Sequence, residues 1–110
     1  MPHVVIGDFV VPIGARREEG TSLHYVSPNH EPRARGAASH ALAEAARQGN
    51  HNMHVGCVWS TDAPYREFAG KVRAYGEEGV LGVEMEAAAL MSVAEFRGVD
   101  VGLILSLIHI

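Results

Sequence analysis

Short apolar runs alternate with segments of helical periodicity along this chain, and this alternation restricts the fold more than any other feature. Four apolar runs bounded by glycine, proline or polar residues predict strands. They lie at residues 4–13, 53–59, 80–84 and 99–105. Three stretches with apolar side chains at helical spacing predict helices, at residues 37–48, 68–75 and 85–97. This order is typical of an α/β fold with a largely parallel sheet. Antiparallel strands are left open for the upstream part of the chain.

The segment between the first strand and the first helix has no sustained period. Residues 14–35 include Gly14, Gly20, Pro28 and Pro32 together with several charged side chains. Loops of this length inside a compact domain are usually functional or disordered. We therefore predict a long functional loop over residues 14–35.

Composition excludes several classes of protein. A chain of 110 residues that is 47% hydrophobic fits one small domain or part of one. A net charge of −4 argues against binding to nucleic acid or an anionic membrane, so small-molecule or protein partners are expected. The single cysteine, Cys57, excludes a disulfide framework and makes a cytoplasmic setting the default. No apolar run approaches the roughly 20 residues that cross a bilayer.

Two further patterns predict no metal or dinucleotide site. His51 and His54 are three residues apart on a predicted strand, where their side chains point to opposite faces, so surface histidines are expected. Gly76, Gly79 and Gly82 precede a strand instead of following one and lack the GxGxxG order. No cofactor is expected from these residues.

Two acids at the start of the third predicted helix allow two interpretations. Glu84 and Glu86 lie among Val, Met, Ala and Leu, where an apolar strand gives way to a helix. A carboxylate there can cap backbone N–H groups and complement the helix dipole, which implies no function. A carboxylate at the carboxyl end of a strand can equally accept hydrogen bonds from a diol such as a sugar. The residues alone leave both interpretations open.

Four motifs in order resemble the nucleoside phosphorylase family that includes uridine phosphorylase and the hexameric purine nucleoside phosphorylases. Along the chain they are the strand GDFVVPIGA at 7–15, the loop EGTSLHY at 19–25, the corner STDAPYRE at 60–67 and the Glu-Met-Glu segment VEMEAAAL at 83–90. The resemblance implies a three-layer α/β/α sandwich, present here as an incomplete domain over residues 1–104. Met1 is then expected to be internal to a longer protein.

Residues 105–110 are expected to be a non-native tail. Their sequence LSLIHI matches one reading frame of a common sequencing adapter. An ordinary apolar strand end is the alternative interpretation.

The resemblance also implies which residues bind substrate. Glu86 corresponds to the residue that hydrogen-bonds the ribose 2′ and 3′ hydroxyls, Met85 to the residue that packs under the sugar, and Glu84 to a weaker ribose contact. The corner at Pro64 and Tyr65 corresponds to the wall on which the base stacks. The family commonly has an aromatic side chain where this chain has Pro64, so Tyr65 is the substitute stacking residue.

The implied reaction is attack of phosphate on the anomeric carbon of a ribonucleoside, which gives free base and ribose 1-phosphate. Phosphate is a co-substrate, no cofactor is needed, and the parent enzyme is expected to be a homo-oligomeric pentosyltransferase. The phosphate ligands correspond to family segments upstream of Gly7-Asp8, and no catalytic group is assigned, so the isolated fragment is expected to be inactive. The base, uridine-type or purine, stays open. The alternatives are a nucleosidase of the same fold and a non-catalytic nucleoside-binding protein.

Overall fold

A four-stranded mixed sheet organises the computed structural model, which describes residues 4–107. The strands are β1 (Phe9–Glu18), β2 (Met53–Thr61), β3 (Val83–Glu84) and β4 (Leu105–Ser106). Their order in the sheet is β3-β2-β1-β4, with β2 parallel to β1 and β3 and with β4 antiparallel to β1. The helices are α1 (Ala38–Gln48), α2 (Ala69–Glu77) and α3 (Ala87–Arg97), and single 3₁₀ turns lie at Thr21–His24 and Pro64–Arg66.

The helix predictions are confirmed, with small shifts at the ends. The structure places α1, α2 and α3 where helical spacing of apolar residues predicted them. Gly98 follows α3 with φ of 68°, the left-handed conformation that glycine adopts at helix C-termini without strain. Among the helices of residues 4–107, none is long and apolar enough to cross a membrane.

The strand predictions need three corrections. β1 begins at Phe9, because Gly7 lies in a turn with φ of 94°, and it continues to Glu18, so the predicted loop is wrong over residues 14–18. Pairing with β2 along this whole length outweighs the low strand propensity of the charged residues there. The predicted strands 80–84 and 99–105 shrink to β3 and β4, since each pairs with its neighbour at only two positions.

The antiparallel strand lies at the downstream end of the described chain, whereas antiparallel strands were expected only in the upstream part. β4 consists of Leu105 and Ser106, which pair with Val10 and Phe9. These are also the first residues of the predicted non-native tail, whose origin stays a prediction. Residues 108–110 of that tail lie outside the described residues, as do residues 1–3.

A bulge in β1 decides which side chains reach the core. Strict alternation would place Val10 and Ala15 on opposite faces of the sheet. The register with β2 shifts between Pro12 and Gly14, so one extra residue is inserted and the alternation changes phase. Val10 and Ala15 therefore share a buried cluster with Val58 and with side chains of α3.

The predicted three-layer arrangement is confirmed in incomplete form. On one face of the sheet, α3 contributes Ala87, Ala88 and Met91 to the buried cluster. On the opposite face, α1 lies over Ile13 and Val55, with which its Ala43 lines a shared cavity. α2 covers the same face further along, where Tyr75 meets the Trp59 ring edge to face at 5.0 Å. One helix on one side and two on the other enclose the sheet.

The two histidines of the predicted surface pair have structural contacts. His51 meets the ring of Phe9 edge to face at 4.8 Å. His54 is partly buried, and its Nε2 lies 2.9 Å from the buried carboxylate of Asp8, which also accepts a hydrogen bond from Val5 N at 3.2 Å. Residues 4–107 contain no group of three or more His, Cys, Asp or Glu side chains arranged to hold a metal ion.

The Asp8 carboxylate predicts a pH dependence of stability. Its hydrogen bond from His54, and next the one from Val5, lower the pKa of Asp8 below the ordinary value of 3.8. The unfolded state therefore binds a proton at a higher pH than the folded state does, and the stabilisation by Asp8 is complete above pH 3.8 and lost as pH falls below it. We expect Asp8→Asn to lower the free energy of unfolding near neutral pH, with a difference from wild type that shrinks in acid. Urea denaturation at several pH values measures this difference.

The exposed Asp100 provides the control for that experiment. Asp100→Asn removes a carboxylate outside the contact of Asp8 with His54 and is expected to change the free energy of unfolding at neutral pH by no more than about 0.5 kcal/mol. A constant difference between wild type and Asp8→Asn across the acid range would contradict the role of Asp8.

Candidate functional site

The start of α3 has two side chains as acceptors for its backbone N–H groups. Glu84 Oε2 accepts hydrogen bonds from Glu86 N at 2.7 Å and from Ala87 N at 2.6 Å. Ser60 Oγ accepts one from Ala88 N at 2.8 Å. N–H groups in the first turn of a helix have no partner within the helix. Glu84 and Ser60 together therefore cap α3.

Ser60 also connects the cap to the sheet. It lies near the end of β2, is fully buried, and pairs with Glu84 in the parallel register between β2 and β3. Its hydroxyl donates a hydrogen bond to Glu84 Oε1. The Ser60 hydroxyl is thus both donor and acceptor, as a buried hydroxyl should be. The Glu84 carboxylate has both of its oxygens engaged.

Glu86 has a different environment. Its side chain is exposed, and within residues 4–107 its carboxylate accepts only a 3.2 Å hydrogen bond from the N–H of the adjacent residue, Met85. Met85 is itself 47% exposed. An available carboxylate and an apolar side chain therefore lie next to each other at the end of β3.

The two interpretations left open by the sequence are divided between the two acids. Glu84 caps the helix, which is the structural interpretation. Glu86 makes no cap hydrogen bond to α3 through its side chain, so its carboxylate is free to accept hydrogen bonds from a ligand. The expected sugar-binding role of Glu86 and Met85 stays a prediction that this geometry permits.

The corner after β2 is hydrogen-bonded to the loop after β1. Asp62 Oδ2 accepts a hydrogen bond from Gly20 N at 3.1 Å, and Asp62 N donates one to the carbonyl of Glu18 at 3.2 Å. Ser60, two residues earlier, is bonded to Glu84. Three of the four sequence motifs are therefore connected by direct hydrogen bonds at one end of the sheet.

A buried polar network orders the loop that carries His24 and Tyr25. The Glu19 carboxylate accepts hydrogen bonds from the backbone N–H of Ser22, at 2.8 Å, and from its hydroxyl. Arg17 donates to the Ser22 hydroxyl at 2.8 Å and to carbonyls further along the loop, including that of His30 at 2.8 Å. Arg17 thus acts as a structural residue of this loop.

The predicted base-stacking residues are the least constrained part of the site. Pro64 and Tyr65 lie in the 3₁₀ turn Pro64–Arg66, directly after the corner. Pro64 is half-buried, but Tyr65 is 98% exposed, so its ring rests on no other side chain of the described residues. Their role in stacking stays a prediction.

A cleft of about 360 Å³ opens beside Glu84. Apolar side chains from all four strands or their ends line it, among them Val10, Val58, Val83 and Leu105. Leu105, Ser106 and Leu107, which belong to the predicted non-native tail, also line this cleft, whereas Glu86 and Met85 do not.

Comparison with known proteins identifies the family. A model described as the phosphorylase superfamily matches residues 1–109. The chain belongs to the phosphorylase superfamily. The resemblance drawn from the four motifs is confirmed, and the incomplete α/β fold agrees with it.

Relatives in the phosphorylase superfamily differ in the base that their names specify. The chain is 36% identical to a guanosine phosphorylase of Halorubrum lacusprofundi over 99 residues, which cover 90% of this chain and 41% of that protein. It is 30% identical to a uridine phosphorylase of Salmonella typhimurium, over 97% of this chain and 48% of that protein. A DeoD-type purine nucleoside phosphorylase of Roseobacter denitrificans is 32% identical over 84% of this chain and 40% of its own length. The chain therefore spans less than half of the length of these superfamily members.

Ser60 is the residue of the site that the sequence did not single out. In the sequence, a serine at the end of an apolar strand predicts only a turn. Its hydrogen bond to Glu84 could not be predicted, because the two residues are 24 positions apart. The sequence signal that could have found Ser60 is an apolar strand that ends in a hydroxyl residue, next to a strand that ends in a carboxylate.

Proposed function

We propose that a protein carrying this segment catalyses the phosphorolysis of ribonucleosides, in which Glu86 binds the ribose hydroxyls and Met85 packs under the sugar. The observation that carries this proposal is the division between the two acids: Glu84 is occupied as the cap of α3, whereas the neighbouring Glu86 carboxylate is exposed beside an exposed methionine. Membership of the phosphorylase superfamily supports the reaction class.

The chemistry fits a carboxylate in this position. Phosphate attacks the anomeric carbon while the bond to the base breaks, and positive charge develops on the sugar. The Glu86 carboxylate, bonded to two hydroxyls of that sugar, orients the ring and lies close to the developing charge. The protein therefore contributes positioning and electrostatic stabilisation, and no covalent intermediate with the protein is required. Inorganic phosphate is the co-substrate and no cofactor takes part.

The base that the whole protein accepts is the open part of this proposal. Either a pyrimidine or a purine base agrees with the names of the relatives, among which guanosine and uridine phosphorylases both occur. We further propose that the whole protein is a cytoplasmic homo-oligomer, as the resemblance implies.

The test is the fate of phosphate in the full-length protein that carries this segment. Incubation with radiolabelled phosphate and either uridine or guanosine is expected to yield labelled ribose 1-phosphate and free base in equal amounts. Omission of phosphate is expected to abolish release of the base.

Two other outcomes would replace this proposal with the alternatives raised by the sequence. Release of free ribose at the same rate with and without phosphate would indicate a nucleosidase. Saturable binding of a nucleoside without release of base under either condition would indicate a binding protein.

A further inference from the structure

The cap of α3 has a property that an ordinary helix cap lacks. A side chain that caps a helix normally comes from the residues just before it and bonds the N–H groups of the first turn. Here a second acceptor, Ser60, comes from a different strand, 28 residues before the Ala88 N–H group that it accepts. The start of α3 is therefore fixed to β2 as well as to its own preceding segment.

Hydrogen bonds hold the peptide groups before and after the Cα atom of Glu86. Glu84 Oε2 accepts the N–H of Glu86 itself and that of Ala87. The next N–H group, on Ala88, is held by Ser60. Ser60 in turn donates to the other oxygen of Glu84, which closes the set. Three consecutive N–H groups, of which the first belongs to Glu86, thus have their acceptors on two bonded side chains.

Burial adds rigidity to this arrangement. Ser60 is fully buried, and so is Ala88, to which it bonds, whereas the Glu86 side chain is exposed. A fixed backbone sets the direction in which the Glu86 side chain leaves the chain, while its side-chain torsions stay free to adapt to a ligand. Displacement of a reacting or binding group by about 1 Å can cost as much as a hundredfold in rate.

We infer that Ser60 and Glu84 form a positioning pair that holds the Glu86 backbone where the Glu86 carboxylate can reach the ribose diol, so that neither residue needs to contact the substrate. This inference rests on the proposed function. It assigns Glu84 a role other than the weak ribose contact expected from the resemblance. It also gives the corner at residues 60–62 a second role, besides that of preceding Pro64 and Tyr65, on which the base is predicted to stack.

The experiment is a double-mutant cycle in the full-length protein that carries this segment. Ser60→Ala is expected to lower kcat/KM for a ribonucleoside roughly tenfold, because Glu86 loses its alignment. In a Glu86→Ala background the same substitution is expected to lower kcat/KM by less than about twofold, since the group that it positions is gone. Glu84→Gln keeps the size of the side chain and is expected to show the same coupling to Glu86, which covers the case in which Ser60→Ala folds poorly.

A matched control is present on the same helix. Ser92 is also fully buried, and its hydroxyl donates to the Ala88 carbonyl at 2.7 Å without touching Glu84. Ser92→Ala is expected to leave kcat/KM and its dependence on Glu86 unchanged. Loss of activity through general destabilisation would affect both serine variants and would be equal in the two backgrounds.

Amide hydrogen exchange provides a measurement that needs no activity. In Ser60→Ala the amides of Glu86, Ala87 and Ala88 are expected to exchange faster than in the wild type, while Ser92→Ala leaves them protected. Unchanged protection at these three amides would overturn the anchoring.

The kinetic outcomes separate this inference from the proposed function. If the wild-type protein is active and the losses in kcat/KM from Ser60→Ala and Glu86→Ala multiply in the double variant, the positioning pair alone is overturned. A wild-type protein that cleaves no ribonucleoside would overturn the proposed function and the catalytic part of this inference, and the exchange measurement would still decide whether Ser60 and Glu84 anchor the start of α3.

Discussion

Replacement of Glu86 by alanine is expected to lower kcat/KM for a ribonucleoside about tenfold to a hundredfold in the full-length protein that carries this segment. The reason is the loss of a charged hydrogen-bond partner of the sugar hydroxyls, which is worth about 1.5–3 kcal/mol. KM should rise and kcat should fall, because the carboxylate contacts the sugar before and during development of charge. Steady-state kinetics measures both constants.

A substrate without the 2′ hydroxyl sharpens this test. The wild type should use a 2′-deoxyribonucleoside less well than the ribonucleoside, and Glu86→Ala should reduce that preference, because the discriminating carboxylate is absent. Equal preference in the wild type and the variant would argue that another group binds the diol.

Stability distinguishes the two acids at this corner. Glu86 makes one hydrogen bond to a neighbouring N–H, so Glu86→Ala is expected to leave the thermal denaturation midpoint nearly unchanged. Glu84→Ala removes a cap of α3 and is expected to cost about 0.5–2 kcal/mol of unfolding free energy. If Glu86→Ala lost stability and activity in parallel, capping would be its role as well.

Replacement of Trp59 by alanine is expected to lower the free energy of unfolding by about 3–5 kcal/mol. Trp59 is 2% exposed on β2, meets Tyr75 edge to face at 5.0 Å, and has the Lys71 ammonium 6.0 Å from its ring centre. Alanine would leave a cavity between the sheet and α2. Urea denaturation at fixed protein concentration, followed by circular dichroism, measures the loss.

Two further variants test the cause of that loss. The indole Nε1 of Trp59 has no hydrogen-bond partner within residues 4–107, so Trp59→Phe removes no hydrogen bond there and should cost less than Trp59→Ala, because it leaves a smaller cavity. Tyr65, an aromatic residue that is 98% exposed, is the control, and Tyr65→Ala should change stability by no more than about 0.5 kcal/mol. A small loss for Trp59→Ala, or an equal loss for Tyr65→Ala, would contradict the packing of α2 on the sheet.

The parts of the fold that the sequence predicted are those set by local pattern. Helical spacing placed α1, α2 and α3 close to their observed positions, and Gly98 marked the end of α3 through its left-handed backbone. The parallel pairing of β1 with β2 followed from the order of strands and helices. Such features depend on residues that are near one another in the chain.

The missed features depend on pairing between distant segments. β1 reaches Glu18 through a run of charged residues because β2 lies alongside it, and no local pattern reports that neighbour. The antiparallel direction of β4 likewise depends on contact with Phe9 and Val10. For the site, the sequence predicted both Glu84 and Glu86 as ligand-binding residues. The feature that distinguishes Glu84 in the structure is its hydrogen bonding to Ser60 and to the start of α3, which depends on the pairing of β2 with β3.

The bulge between Pro12 and Gly14 has a consequence for the comparison of this chain with its relatives. Before the bulge, even-numbered residues of β1 point to the α3 side, as Val10 does, whereas after it the odd-numbered Ala15 does so. Alignment of a relative that lacks the extra residue therefore needs a one-residue gap at the bulge. A gap placed elsewhere in the strand would match residues from opposite faces of the sheet. Both faces are buried there, since Val10 is 1% and Val11 0% exposed, so the misplaced gap would compare side chains from two different core layers.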